Sequence, residues 1–225
     1  MDKVSAIILA AGSGSRFGEK KQFKELNGEP IWVYSLNTFI QSKCVDELIL
    51  VVPNDFLGNI KQSQVFTFLN KKNNIKLVPG GQSRKDSVFN GLKAVKKVND
   101  IVCIHDAARP FIKTSYIKHS IEACNEFDGA IIAIPSVDTV KKVHNQIIEN
   151  TIDRQSLWMA QTPQTFKKNK LLYAIKNFSY LNITDESMLM EEANFKIKLI
   201  AGDQSNFKIT NEIDWELAKI IAKGG

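Results

Sequence analysis

Six short apolar runs alternate along this chain with stretches of helical length, and that alternation constrains the fold more than any other feature. The runs are Val4–Leu9, Glu47–Val52, Ile75–Val78, Ile101–Ile104, Ala130–Ile134 and Lys196–Ile200. Most are apolar without a break, as expected of strands covered on both faces rather than one. Between them lie amphipathic stretches of helical length at Trp32–Gln41, Lys85–Val98, Ser115–Glu126 and Glu186–Ala193, with another after the last run at Asp214–Ala222. Strand and helix in turn predict an α/β fold, doubly wound around a mainly parallel sheet. Ligands on such sheets bind outside the carboxyl ends of the strands. The loops after Leu9, Val78 and Ile104 are therefore the places to look for chemistry.

The chain has 225 residues, 44% of them hydrophobic and 24% charged, which suits one soluble domain over residues 1–225. Its net charge of +6 suits an anionic ligand. Lysine is spread evenly, with no basic run longer than two residues and no aromatics interleaved on a basic stretch, so the expected partner is a small phosphate and not nucleic acid. Cys44, Cys103 and Cys124 have no metal-type spacing and read as reduced packing residues. The first apolar run is too short for a signal sequence or a membrane span, so a cytoplasmic protein without membrane contact is expected. The segment Val137–Met159 breaks the pattern: short alternating segments flank the polar His144-Asn145-Gln146, which suits a protruding β-hairpin. Apolar residues on a protruding hairpin need a covering surface, so 137–159 is expected to act as a dimerisation arm.

The first strand runs into Ala10-Ala11-Gly12-Ser13-Gly14-Ser15-Arg16-Phe17-Gly18. Small residues let a phosphate approach the backbone, and successive N–H groups in such a loop form an anion-binding hollow. The spacing matches neither the dinucleotide fingerprint nor the P-loop, which would end in Gly-Lys-Ser/Thr. Glycines alone would fit an ordinary strand-to-helix turn equally well. Arg16 and the pair Lys20-Lys21, within a few residues of an amide-rich loop, point instead to a polyphosphate.

This loop, followed by Lys21-Gln22-Phe23, resembles the signature of sugar-phosphate nucleotidylyltransferases, specifically the methylerythritol-phosphate cytidylyltransferase family. Further matching motifs follow in order over nearly the whole chain: Gly80-Gly81-x-x-Arg84-x-x-Ser87-Val88-x-x-Gly91-Leu92; His105-Asp106-Ala107-Ala108-Arg109-Pro110; Asp138-Thr139-Val140-Lys141; Asp153-Arg154-x-x-Leu157-Trp158; Gln161-Thr162-Pro163-Gln164-x-Phe166; Thr184-Asp185-Glu186; and Asn206-Phe207-Lys208-Ile209-Thr210. The resemblance implies that Ala10, Ala11, Gly12, Gly14, Gly81, Ser87 and Asp106 hold the nucleotide, CTP. It implies that Arg16 and Lys21 act on the triphosphate while Arg154 and Lys208 hold the attacking phosphate. Arg109, Thr139 and Thr184 would bind the second substrate, a sugar-alcohol phosphate. Mg²⁺ would be carried mainly on the CTP phosphates, with no dedicated protein metal site. In the family the arm residues Thr139 and Arg154 reach into the neighbouring subunit, which implies a homodimer.

Each residue also has an ordinary reading. Gly80-Gly81 fits a tight turn, Asp106 a helix cap or a solvated carboxylate, and Arg109 a local pair. Lys208 fits a surface lysine, Asp153-Arg154 a surface charge pair of little worth, and Gln161-Thr162-Pro163-Gln164 a rigid turn that shapes the site. His105 is expected to be structural. The segment before Lys21 lacks the family's usual proline, so Lys20 is the alternative catalytic lysine. The nearest alternative activity is transfer to ribitol 5-phosphate or another alditol phosphate; a non-catalytic nucleotide-binding regulator is the alternative of another class.

Overall fold

The six apolar runs supply six strands of a seven-stranded sheet with helices packed on both faces. The computed structural model of the chain describes residues 2–12, 23–178 and 182–224. Its strands are β1 (Val4–Leu9), the short pair β2 (Glu25–Leu26) and β3 (Glu29–Pro30), β4 (Glu47–Val52), β5 (Lys76–Pro79), β6 (Ile101–Asp106), β7 (Gly129–Pro135), β8 (Val140–His144), β9 (Ile147–Ile152), β10 (Trp158–Lys167) and β11 (Ile197–Ala201). The helices are α1 (Ile31–Ser42), α2 (Leu57–Gln62), α3 (Gln64–Asn73), α4 (Arg84–Ala94), α5 (Thr114–Ala123), α6 (Lys168–Phe178), α7 (Glu186–Glu192) and α8 (Glu212–Gly224).

The main sheet runs β11-β7-β10-β6-β1-β4-β5, with every pairing parallel except the two made by β10. Alternate residues of each central strand serve opposite cores. Ala6, Ile8, Leu48, Leu50 and Val52 pack with Trp32, Leu36 and Phe39 of α1 on one face. Ile7, Leu9, Ile49 and Val51 pack with Val88 and Leu92 of α4 and Leu189 and Met190 of α7 on the other. Two buried faces explain why these strands read as unbroken apolar runs.

The strand β10 corrects one expectation. Gln161-Thr162-Pro163-Gln164 is not a turn but lies inside a ten-residue strand inserted antiparallel between β6 and β7. The register against β7 jumps between Ala160 and Gln164, so these residues form a bulge. Pro163 has no N–H to give to a ladder, and a bulge is where a strand tolerates it.

β8 and β9 form the expected hairpin, with Val140 opposite Ile152 and His144 opposite Ile147. Asn145 and Gln146 both take positive φ, 47° and 65°, the two-residue turn that matches strand twist. Val143, Ile147 and Ile148 are 52%, 72% and 61% exposed, so the hairpin's apolar residues are uncovered within this chain. Trp158 and Met159 already pair with β7 in the main sheet.

Candidate active site

Asp106 ends β6 at the carboxyl edge of the sheet, opposite Leu9, where β1 runs out into Ala10-Ala11-Gly12. Its carboxylate meets two cations delivered from distant parts of the chain. Lys208 Nζ lies 2.6 Å from Oδ2 and Arg84 Nε lies 3.2 Å from Oδ1. Arg84 turns its Nη1 to Glu186, 2.8 Å from both carboxylate oxygens. Arg84 and Glu186 are the first residues of α4 and α7. A cation at a helix N-terminus is set against the helix dipole, and here two carboxylates offset that cost.

The two carboxylates respond differently to the same arginine. Burial raises the pKa of both. For Asp106 that rise is overwhelmed by Arg84, Lys208 and Arg109, which hold its carboxyl far below the usual range. Glu186 has one cation and two neighbouring acids, Asp106 and Asp185, so burial wins and its pKa is raised. Arg84 loses by burial and regains more from Asp106 and Glu186, which hold it firmly charged.

His105 braces the turn that follows Asp106. It is fully buried, with Nε2 3.1 Å from the Arg109 carbonyl and Nδ1 3.0 Å from Thr162 Oγ1. A carbonyl only accepts, so Nε2 carries the proton and Nδ1 accepts from the Thr162 hydroxyl. That hydroxyl in turn accepts the Asp106 N–H at 3.1 Å. Burial pulls the His105 pKa from 6.5 down to about 4, against a smaller upward pull from Asp106. The unfolded chain therefore takes up a proton below pH 6.5 that the folded chain refuses until about pH 4. Stability from this group is complete above pH 6.5 and is lost between 6.5 and about 4, a loss of about 3 kcal/mol. Thermal melts from pH 7 to pH 4 are expected to fall more steeply for the native chain than for His105→Gln, whose amide keeps a donor and an acceptor. Identical slopes would remove His105 as the cause.

The loop after β5 is built from close approaches. A side chain at Gly80 would put Cβ 2.3 Å from Ala11 Cβ, and one at Gly81 would put it 2.2 Å from Asp86 Cβ. Glycine at 80 lets the loop after β5 press against the exit of β1, and glycine at 81 lets it press against the first turn of α4. Ser83 caps α4 in a reciprocal pair with Asp86, and Ser87 Oγ accepts the Gly81 N–H at 3.1 Å while donating to the Ser83 carbonyl at 3.0 Å. The Ser87 donor is thus spent on shaping the loop.

The structure brings Ala10, Ala11, Gly12, Gly81, Ser87, Asp106, Arg109 and Lys208 to one edge of the sheet. Arg109 donates from Nη1 to the Asn206 carbonyl at 2.8 Å, bracing the loop that carries Lys208. Thr184 is exposed, two residues before Glu186. Thr139 and Arg154 are exposed at the base of the hairpin, where Arg154 donates to the Val137 carbonyl; no bond joins either to the Asp106 cluster among the described residues. Gly14, Arg16, Lys20 and Lys21 lie outside the described residues. The sequence reading gave Arg84 and Glu186 no role, although an arginine opening a helix is a signal that it needs an acidic partner.

The chemistry available here is electrostatic. Among the described residues no cluster of three His, Cys, Asp or Glu could hold a metal ion. Cys103 is buried with its pKa pushed up to about 12, and both ring nitrogens of His105 are occupied, so neither is poised as a nucleophile. An apolar cavity of about 460 Å³ lies beyond Glu186, between α4, α6 and α7, and is lined by Val88, Phe89, Leu172, Ile175, Ile183 and Leu189. Its walls suit no triphosphate, whereas the Asp106 edge gathers cations beside a glycine loop.

Comparison with known proteins agrees with this fold. The sequence model of the 2-C-methyl-D-erythritol 4-phosphate cytidylyltransferase family matches residues 4–223. The cytidylyltransferase of that name from Clostridium acetobutylicum is 40% identical, covering 97% of this chain and 96% of its own. A bifunctional enzyme IspD/IspF from Desulfotalea psychrophila is 38% identical over 97% of this chain, which spans 56% of that longer protein. The crystal structure of a 4-diphosphocytidyl-2C-methyl-D-erythritol synthase from Anaerococcus prevotii superposes with a TM-score of 0.85 at 32% identity, covering 99% of both chains. The chain belongs to the 2-C-methyl-D-erythritol 4-phosphate cytidylyltransferase family, nucleotidyltransferases of isoprenoid precursor biosynthesis.

Proposed function

We propose that this chain transfers CMP from CTP to 2-C-methyl-D-erythritol 4-phosphate, releasing pyrophosphate, at the sheet edge around Asp106. The observation that carries this reading is the convergence of Lys208 and Arg84 on one carboxylate at the exit of β1, with the charge of Arg109 nearby. The acceptor is a phosphate monoester with a second pKa of about 6, so at neutral pH it is already mostly a dianion and needs no general base. One of its oxygens bonds to the α-phosphorus of CTP, and the bond from that phosphorus to the bridging oxygen breaks. The electron pair leaves with pyrophosphate.

Bringing two anions together is the obstacle, and positioned cations lower it. Lys208 holds the attacking phosphate: its ammonium has three donors, so it can keep Asp106 and still bond phosphate oxygens. Asp106 in turn keeps Lys208 charged and aimed. Arg154 joins Lys208 on the attacking phosphate, Arg16 and Lys21 act on the triphosphate, and Arg109, Thr139 and Thr184 hold the sugar alcohol. The backbone of Ala10, Ala11, Gly12, Gly14 and Gly81, with the Ser87-shaped loop, holds the nucleotide. Mg²⁺ would be carried mainly on the CTP phosphate oxygens, since both oxygens of Asp106 already face cations, Lys208 and Arg84. There it would neutralise charge on the triphosphate.

The exposed apolar residues of the β8–β9 hairpin support a homodimer in which Thr139 and Arg154 complete the neighbouring site. No helix among the described residues is long and apolar enough to cross a membrane, and Cys44, Cys103 and Cys124 are free thiols; both support a cytoplasmic enzyme. Dispersed lysines support small phosphates over nucleic acid as the partner. The test is pyrophosphate release with CTP and a panel of alditol phosphates. Release with methylerythritol phosphate is expected; release with ribitol 5-phosphate alone would replace the substrate, and no release with any would leave a nucleotide-binding regulator.

A further inference from the structure

We infer that the bulge at Gln161-Thr162, together with Asn206, sets the separation of Lys208 and Asp106, which makes Gln161, Thr162 and Asn206 positioning residues for the transfer. The inference rests on the proposed role of Lys208. The ion pair joins groups 102 residues apart, and the sheet does not bring their strands together. Lys208 follows β11 and Asp106 ends β6, and in the sheet order β7 and β10 lie between those strands. The loop carrying Lys208 must therefore reach across β10, where the bulge stands.

The bulge holds both sides of the pair. Toward β6, Thr162 Oγ1 accepts the backbone N–H of Asp106 at 3.1 Å. Toward the Lys208 loop, Asn206 Nδ2 donates to Gln161 Oε1 at 2.9 Å and to the Thr162 carbonyl at 3.0 Å. Gln161 Nε2 returns a bond to the Asp203 carbonyl at 3.2 Å. One residue past Lys208, the Ile209 N–H bonds the Ala108 carbonyl at 2.9 Å, which closes the loop from its other end. Loop and bulge approach so closely that a side chain at Gly202 would put Cβ 2.9 Å from Gln161 Oε1 and 2.6 Å from Ile132 Cγ2.

Gln161, Thr162 and Asn206 are all buried, where apolar side chains would be the default for packing alone. A buried amide needs its partners at fixed places, so such a network specifies one geometry in a way that apolar contacts do not. Lys208 by itself is a flexible four-carbon stem. The loop beneath it supplies the precision, and a displacement of about 1 Å at a reacting group can cost on the order of 10²-fold in rate.

The test is a double-mutant cycle on the full-length enzyme. Asn206→Leu keeps approximate volume and removes both donors; its kcat is expected to fall about 10- to 100-fold, with the affinity for CTP little changed. In a Lys208→Ala background the same substitution should cost less than about threefold in kcat, because there is no ammonium left to misplace. A purely structural role predicts the same factor in both backgrounds, or a lower melting temperature with kcat unchanged, and either result overturns the inference. Should Asn206→Leu not fold, Gln161→Met gives the same cycle with a milder change. Full activity of Lys208→Ala alone would instead overturn the role given to Lys208 and not the architecture of the bulge.

Discussion

Lys208→Ala is expected to lower turnover by about 10²-fold or more while weakening CTP binding by less than about tenfold. Two effects act in the same direction. The attacking phosphate loses the cation that holds it in line, and Asp106 loses the partner 2.6 Å from Oδ2. Arg84 still faces the other oxygen, so the carboxylate stays ionised, and Oδ2 now meets an incoming dianion without its cation. Lys208→Arg should recover part of the rate, since the charge returns but a planar fork replaces a compact ammonium. Steady-state kinetics with both substrates varied, beside direct CTP binding, separate these effects. Near-native kcat in the alanine variant would mean that the Asp106–Lys208 pair is an ordinary structural ion pair.

Mixing two inactive variants should restore activity. Lys208→Ala and Arg154→Ala are each expected to be nearly inactive, because the proposed site draws Lys208 from one subunit and Arg154 from the other. In a mixed dimer one site carries both lesions and the other carries neither, so about half of native activity per heterodimer should return. The physical basis is the hairpin: Ile147 and Ile148 are uncovered within the chain, and Arg154 makes its bond at the hairpin's own base, apart from the Asp106 cluster. Subunit exchange monitored with two differently tagged chains provides the control. Exchange without recovery would mean that each site is complete within one chain and that the arm's part is limited to association.

The sequence revealed those parts of the fold that rest on local pattern. Val4–Leu9 and Glu47–Val52 were legible to the residue because both faces of each strand are covered, leaving no polar alternation to confuse the reading. β10 was hidden for the opposite reason. Gln161, Thr162 and Gln164 are polar yet buried, their partners come from elsewhere in the chain, and Pro163 argues against any strand. Helices α2, α3 and α6 also escaped notice. In the site, resemblance led to Asp106 and Lys208, and the structure brings them together. The resemblance named Arg84 and Glu186 as motif residues but did not join them, and their pair links the starts of two helices 102 residues apart. Pairing at that separation leaves no periodic trace.

The insertion of β10 also constrains the order of assembly. β6 and β7 are successive strands of the main sheet in the chain, yet they are not neighbours in it; the place between them is filled by a strand that arrives only after the hairpin has been traversed. Until Trp158–Lys167 has emerged from the ribosome, a nascent chain has no strand to join β7 to β6, and the facing edge of each is open. Open edges invite pairing with other chains. Closing the gap also fastens Asp106 through Thr162, so the seam that holds this carboxylate forms only once β10 is in place, with β11 still to add to β7. A chain interrupted inside the hairpin would thus lack more than a contact surface: β7 would be without both of its neighbours in the sheet, β10 and β11.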